Sequence, residues 1–203
     1  MTSVWADDEE VIFEQGIPEN PLQIYNLLMA AFSEQGRVVV GFEIDGEDAL
    51  QMESFPEKFS KISAKSLKNE EVILRICNQS LEAMSQLGSE LHAYQLNILS
   101  TAWTEVFKQM NSFTDKIKPF ADLMDTIGPY ASTYPSSWSQ RFKEIADSQA
   151  ESLNEILSSF EMGNPAGLSD ELSSRFTPLV EQSIHFFTNT VIPDLEKQIS
   201  MAA

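Results

Sequence analysis

The sequence predicts an α+β protein that is predominantly α: a small N-terminal α+β unit followed by a bundle of long amphipathic helices. Three observations predict it. The stretch "RVVVGFEIDG" at residues 37 to 46 is β-branched and aromatic and closes on a turn pair; a compact helix signal stands directly before it; and from Glu70 onward apolar residues recur at steps of three and four. These place a module of one helix and two or three strands at residues 1–68 and a helical region at residues 69–203, either as two parts or as one continuous domain.

The helix signal is residues 20 to 35, "NPLQIYNLLMAAFSEQ". Asn20 suits an N-cap, Pro21 the first helical position and Gln23 the third. Leu22, Tyr25, Leu28, Met29 and Phe32 recur on one face, and Gly36 suits the stop. After it the period drops from 3.6 to 2, and Asp45-Gly46 predicts a tight hairpin turn. Upstream, "EEVIFEQG" reads as a further strand, and the acidic run Asp7 to Glu10 as a solubilising tail. Downstream, residues 57 to 67 fit either period; a strand is favoured over a helix that would align Lys58, Lys61, Lys65 and Lys68.

Ile73, Cys77, Ser80, Met84, Leu87, Leu91, Tyr94 and Ile98 form a narrow coiled-coil-like seam, which predicts one helix from about 70 to 118. A second register, Leu99, Trp103, Val106, Met110, Phe113, Ile117 and Phe120, starts one position late, as a heptad skip would. Pro119 predicts a kink or restart, and residues 128 to 137, "GPYASTYPSS", a connection. A capping box at Ser137 and Gln140 opens the next helix, whose buried face is Trp138, Phe142, Ile145, Leu153, Ile156 and Phe160. After the break "MGNPAGLS", a last helix carries Leu172, Phe176, Leu179, Ile184, Phe187, Val191, Leu195 and Ile199; Pro178 and Pro193 predict that it is kinked or stepped.

Composition narrows the function classes. Thirteen Lys and Arg against 31 Asp and Glu give a formal charge of −18, a field that repels nucleic acid and anionic membranes. With 13 Phe, 3 Trp and 4 Tyr, the acidity belongs to the surface of a folded chain and not to a disordered one. One cysteine, Cys77, makes no internal disulfide; the N-terminal residues lack a signal-peptide pattern, and no apolar run approaches the ~20 residues of a membrane span. A cytoplasmic protein is expected, export without a cleavable signal remaining open.

Chemistry-bearing motifs are sparse. Only His92 and His185 are present, with no HExxH and no Glu-x-x-His; Glu181 and His185, one turn apart, are the metal candidates, and a helix-surface or satisfied histidine beside Phe186 and Phe187 is the favoured explanation. Cys77 lies on the apolar seam, where a thiol packs as a small hydrophobe. The sequence holds no G-x-S-x-G elbow and no phosphate loop, so no catalytic residue and no cofactor are expected. Glu144, Asp147, Glu151 and Glu155 form an acidic stripe, read as a solvated helix face. Lys58, Lys61, Lys65 and Lys68 form a locally basic strip that could pair with the protein's own acids, protect a strand edge or contact an acidic partner. Tyr130, Tyr134 and Trp138 are the candidates for an exposed aromatic contact patch.

Residues 20 to 120, with "GRVVVGFEIDG" between a short helix and a heptad-like helix, resemble a loose class of bacterial proteins that have no characterised activity. The resemblance implies a ubiquitin-like or similar N-terminal module and a bacterial source, and no functional residue. The expectation is a non-enzymatic adaptor, scaffold or chaperone-like protein, homodimeric or bound to a protein partner; the alternative is a carboxylate and histidine metal-binding bundle with enzymatic activity.

Overall fold

In the computed structural model, which describes residues 2–201, the chain divides into two compact units, Met1–Val72 and Ile73–Ala203. The first is built on a mixed sheet of β1 (Ser3–Ala6), β2 (Glu9–Glu10), β3 (Arg37–Ile44), β4 (Glu47–Asp48) and β5 (Lys61–Lys68), in the order β2-β1-β5-β3-β4. Strand β5 is central, parallel to β1 and antiparallel to β3. With one helix, α1 (Pro21–Glu34), across one face, the first unit is a small α+β module, as the sequence predicts.

Both hairpins turn on paired left-handed residues. Asp45 and Gly46 have φ of 51° and 89°, the requirement of a two-residue type I′ turn, as the sequence predicts. Asp7 and Asp8 (φ 48° and 68°) do the same between β1 and β2, so the acidic run is a hairpin and not a tail. The upstream strand is correspondingly displaced: "SVWA" is β1, and only Glu9–Glu10 of the expected segment pairs.

Alternation along the strands puts Val4, Phe42, Ile44, Ile62 and Ala64 on one face, where they bury against Ile24, Leu28 and Phe32 of α1. Each of the larger of these side chains contributes about 2 kcal/mol when taken out of water. Asn20 caps α1 by accepting from the Leu22 N–H at 2.9 Å. The buried stripe lies one position round from the expected one: Ile24 is at its centre, while Leu22 and Met29 are about half exposed, because a helix covering a single sheet face buries only a narrow stripe.

The second unit contains α2 (Asn69–Met84, which starts before the division), α3 (Leu87–Ile98), α4 (Trp103–Lys108), α5 (Met110–Thr133) and α6 (Ser139–Glu161). The expected helix from 70 to 118 is therefore broken, at residues 85–86, 99–102 and 109. Its first seam is nonetheless buried: Ile73, Cys77, Met84, Leu87, Leu91 and Ile98 all join the core. The one-residue shift is no skip in a continuous helix; it falls in the loop at 99–102, where Leu99 is 67% exposed. Conversely, α5 continues through both Pro119 and Pro129, which corrects the expected restart and most of the expected connection. Burial of Phe113, Ile117, Phe120, Leu123, Met124, Ile127 and Tyr130 along it outweighs two missing helix hydrogen bonds. No capping box opens α6; Ser139 Oγ instead accepts from the Ser136 N–H at 2.9 Å.

The last helix explains its prolines. Segments α7 (Pro165–Glu171), α8 (Thr177–Phe186) and α9 (Ile192–Met201) are joined by π-helical turns at Leu172–Phe176 and Phe187–Val191, each ending two residues before a proline. Leu168, Leu172, Phe176, Val180, Ser183, Phe187, Val191 and Leu195 are all fully buried. Their steps of four, four, four, three, four, four and four average more than the 3.6 residues of an α turn, and the wider i→i+5 turns keep them on one face. Leu179 and Ile184, expected on that face, flank it. Among the described residues no helix is long and apolar enough to cross a membrane.

Candidate partner-binding face

Only one face of the sheet in the first unit is covered by α1. The other carries Ser3 and Trp5 from β1, Lys61, Ser63, Lys65 and Leu67 from β5, and Val38, Gly41 and Glu43 from β3, as the pairs Ser3↔Lys61, Trp5↔Ser63, Glu43↔Ser63, Gly41↔Lys65 and Val38↔Leu67 require. Lys61, Lys65, Glu43 and Val38 are exposed there, and Trp5 is half-buried. Lys61 Nζ stands 5.8 Å from the centre of the Trp5 ring, close enough for a cation–π contact, and the Trp5 indole N–H donates to Ser3 Oγ at 3.3 Å.

Two carboxylates fix the strand that presents these lysines. At its start, Asp45 accepts from the backbone N–H groups of Ser60 and Lys61 at 3.0 and 2.7 Å. Toward its end, Asp7 accepts from the Ser66 N–H at 2.7 Å and the Ser66 hydroxyl at 2.6 Å, and from Arg37 at 2.8 Å; Arg37 Nε also donates to Ser66 Oγ at 2.7 Å. Partial burial pushes the Asp7 carboxyl up, but these hydrogen bonds and the Arg37 charge outweigh it and hold Asp7 below the usual carboxylate value. Arg37 and Asp45, at or next to the two ends of β3, thus each lock one end of β5.

The lysine strip is distributed differently from either expectation. Lys58 lies in the loop before β5, Lys61 and Lys65 share the uncovered face, and Lys68 falls on the opposite side by alternation, its N–H donating to Glu71 at 2.9 Å. Protection of a strand edge is not the role of Lys61, because β5 is paired on both sides over residues 61–64; from Lys65 to Lys68 β5 pairs with β3 alone. Among the described residues, no carboxylate comes within ion-pair distance of Lys58, Lys61 or Lys65, so the protein's own acids do not neutralise them. Glu43, the carboxylate on the same face, is opposite Ser63 and diagonal to both.

The remaining candidates scatter. Tyr130, Tyr134 and Trp138 do cluster, with ring centres 5.2 and 6.4 Å apart, yet Tyr130 and Trp138 are buried and only Tyr134 is exposed. Trp138 is an internal anchor, its indole N–H donating to Asp194, so the expectation of an exposed patch is corrected for these two. Glu181 and His185 are both exposed on α8, and the described residues contain no group of three His, Cys, Asp or Glu side chains placed to hold a metal. Cys77 is fully buried, which pushes its thiol up to about 12. The acidic stripe on α6 is exposed, with Glu144 paired to Arg141 and Glu151 to Arg175. A shallow cleft between α3 and α5 is lined by Tyr94, Asn97, Gln109 and Phe113, with the Lys116–Glu90 pair at 3.0 Å. The Tyr94 hydroxyl has no hydrogen-bond partner among the described residues and is closed off from solvent, and burial raises it to about 12.

Sequence reasoning missed Trp5 and Gly41 as members of the face. The signal for Trp5 was its two-residue offset from Ser3 in a strand read too far downstream. Comparison with protein-family models, with curated proteins and with solved structures gives no match for this chain.

Proposed function

We propose that the chain is a non-enzymatic protein-interaction protein whose first unit docks an acidic segment of a partner on the uncovered sheet face. One observation carries this reading: in a chain with a formal charge of −18, Lys61 and Lys65 stand on the same face of one strand with no ion pair among the described residues, Lys61 next to an aromatic ring. Pairing them internally would be the default where acids exceed bases so heavily; leaving them free suits recognition of an opposite charge. The half-buried Trp5 adds a flat apolar surface of the kind that dominates binding energy at interfaces. Two locked strand ends mean that little side-chain or backbone order has to be created on binding.

The test uses the partner recovered from the native host and purified. A Lys61→Glu/Lys65→Glu variant should lose about tenfold in affinity at low salt, the difference shrinking as the Debye length falls. Charge reversal at Glu144 and Glu151 on α6 should leave affinity unchanged. Equal binding by the lysine variant contradicts the reading.

A further inference from the structure

The free edge of β3 deepens this reading and rests on it. Between Arg37 and Phe42, β3 has a strand on one side only: β5 pairs along it, whereas β4 reaches Glu43 and Ile44 alone. Natural sheets protect such edges with charges, prolines or bulges. Here the edge reads Val38, Val39, Val40, Gly41 and Phe42, and its one charge, Arg37, is turned to Asp7 and Ser66. A bulge between Val39 and Gly41 interrupts the edge and the turn Ala49–Gln51 after β4 packs against β3, while Val38 and Val40 on either side of Val39 are each 41% exposed.

Gly41 decides which occupant suits the edge. A Cβ at this position would touch Lys65 Cβ at 3.5 Å and Cγ at 4.0 Å, an ordinary van der Waals contact, so the lysine stem packs directly beside the bare Gly41 backbone. A strand added beside β3 therefore faces Lys65 across Gly41 with no side chain between them. A second copy of this chain, pairing β3 with β3 about a two-fold axis, would set its own Arg37–Phe42 segment there, which carries no carboxylate, with its Lys65 one strand further out, and so would bring no opposite charge to Lys65. An acidic segment brings the opposite charge.

We infer that the partner segment is extended and adds as a sixth strand along Arg37–Phe42, with a carboxylate opposite Gly41 and apolar side chains against the exposed valines. Main-chain hydrogen bonds to the β3 edge supply affinity, and Lys65 supplies selection for acid.

The experiment uses the full chain and a synthetic eight-residue peptide of alternating valine and glutamate, with the same peptide N-methylated throughout as the control. The methylated peptide keeps every side chain and charge but cannot donate. The unmodified peptide should protect amides within Arg37–Phe42 from hydrogen exchange, and N-methylation should weaken it by about tenfold or more, the loss expected of two or more backbone hydrogen bonds. If both peptides bind alike, lose affinity in Lys61→Glu/Lys65→Glu and leave those amides unprotected, strand addition is overturned while the face stands as the binding surface. If binding ignores the lysines, or neither peptide binds, the functional reading falls with it. A dimer by light scattering whose Arg37–Phe42 amides become protected as concentration rises would show that the edge belongs to a second copy, and would overturn the acidic segment as its occupant.

Discussion

The indole N–H of Trp138 donates to a carboxylate oxygen of Asp194 at 3.0 Å, joining the start of α6 to α9 across 56 residues of sequence. The same oxygen accepts from the Gln198 side chain at 2.8 Å, and the ring packs against Tyr130 and Phe142. Removing the acceptor leaves a buried N–H unpaired. Asp194→Ala should destabilise the protein by about 1–3 kcal/mol, and Trp138→Ala by about 3–5 kcal/mol, both read by denaturant unfolding. Neither should change partner affinity, since Trp138 lies in the core and not on the proposed face.

The Asp7, Arg37 and Ser66 cluster makes the first unit sensitive to acid. Asp7 titrates below its ordinary value of 3.8 in the folded state, so its contribution is complete above that pH and is lost as pH falls through the lower folded value. Asp7→Asn keeps a side chain that tolerates the left-handed turn but removes the charge. It should lower stability at neutral pH by about 1–2 kcal/mol and flatten the loss of stability below pH 4, measured by urea titration across pH. A variant with an unchanged acid limb would show that the cluster is not what responds.

Cys77 offers a probe of the second unit. Fully buried, with its thiol pushed up to about 12, it should resist a thiol reagent in the native protein and react quickly once the protein is unfolded. Because an exposed thiol ionises from about 9, unfolding is favoured as pH rises from 9 toward 12, and the buried Tyr94, raised from 10.0 to about 12, acts in the same direction. Alkaline unfolding followed by labelling should therefore begin above pH 9; rapid labelling at neutral pH would contradict the burial.

The π turns predict an unusual tolerance to deletion. Each holds one residue more per turn than an α-helix, so removing the exposed Ser173 or Thr188 restores an ordinary turn and keeps the buried seam in phase. Removing Gln182 from α8 instead rotates everything after it by about 100°. Thermal melts should show the first two variants folded and the third unfolded or grossly destabilised.

Much of this was legible in the residues. The Asn20 cap, the strand after Gly36 and the Asp45-Gly46 turn are local effects, and each formed as its chemistry dictates. The buried seams were also legible, since periodicity reports which side faces the core. It does not report continuity: the same three-and-four spacing runs across the breaks at 85–86 and 99–102, while Pro119 and Pro129, strong local stop signals, yield to the burial of their neighbours. The face itself was half legible. Lys61 and Lys65 were visible as a basic strip, but that Trp5 and Gly41 lie beside them depends on β1 and β3 flanking β5, a pairing that no single segment encodes.

The most direct test of the central claim places a photo-crosslinking amino acid at Ser63, in the middle of the uncovered face, and in a second protein at the exposed Thr188 on the other unit, each expressed in the native host. The account predicts an adduct from position 63 only, to one protein through an acidic segment, lost in the Lys61→Glu/Lys65→Glu background and re-formed when the two purified proteins are mixed. An adduct formed equally from position 188, or one from position 63 that survives charge reversal, would contradict it.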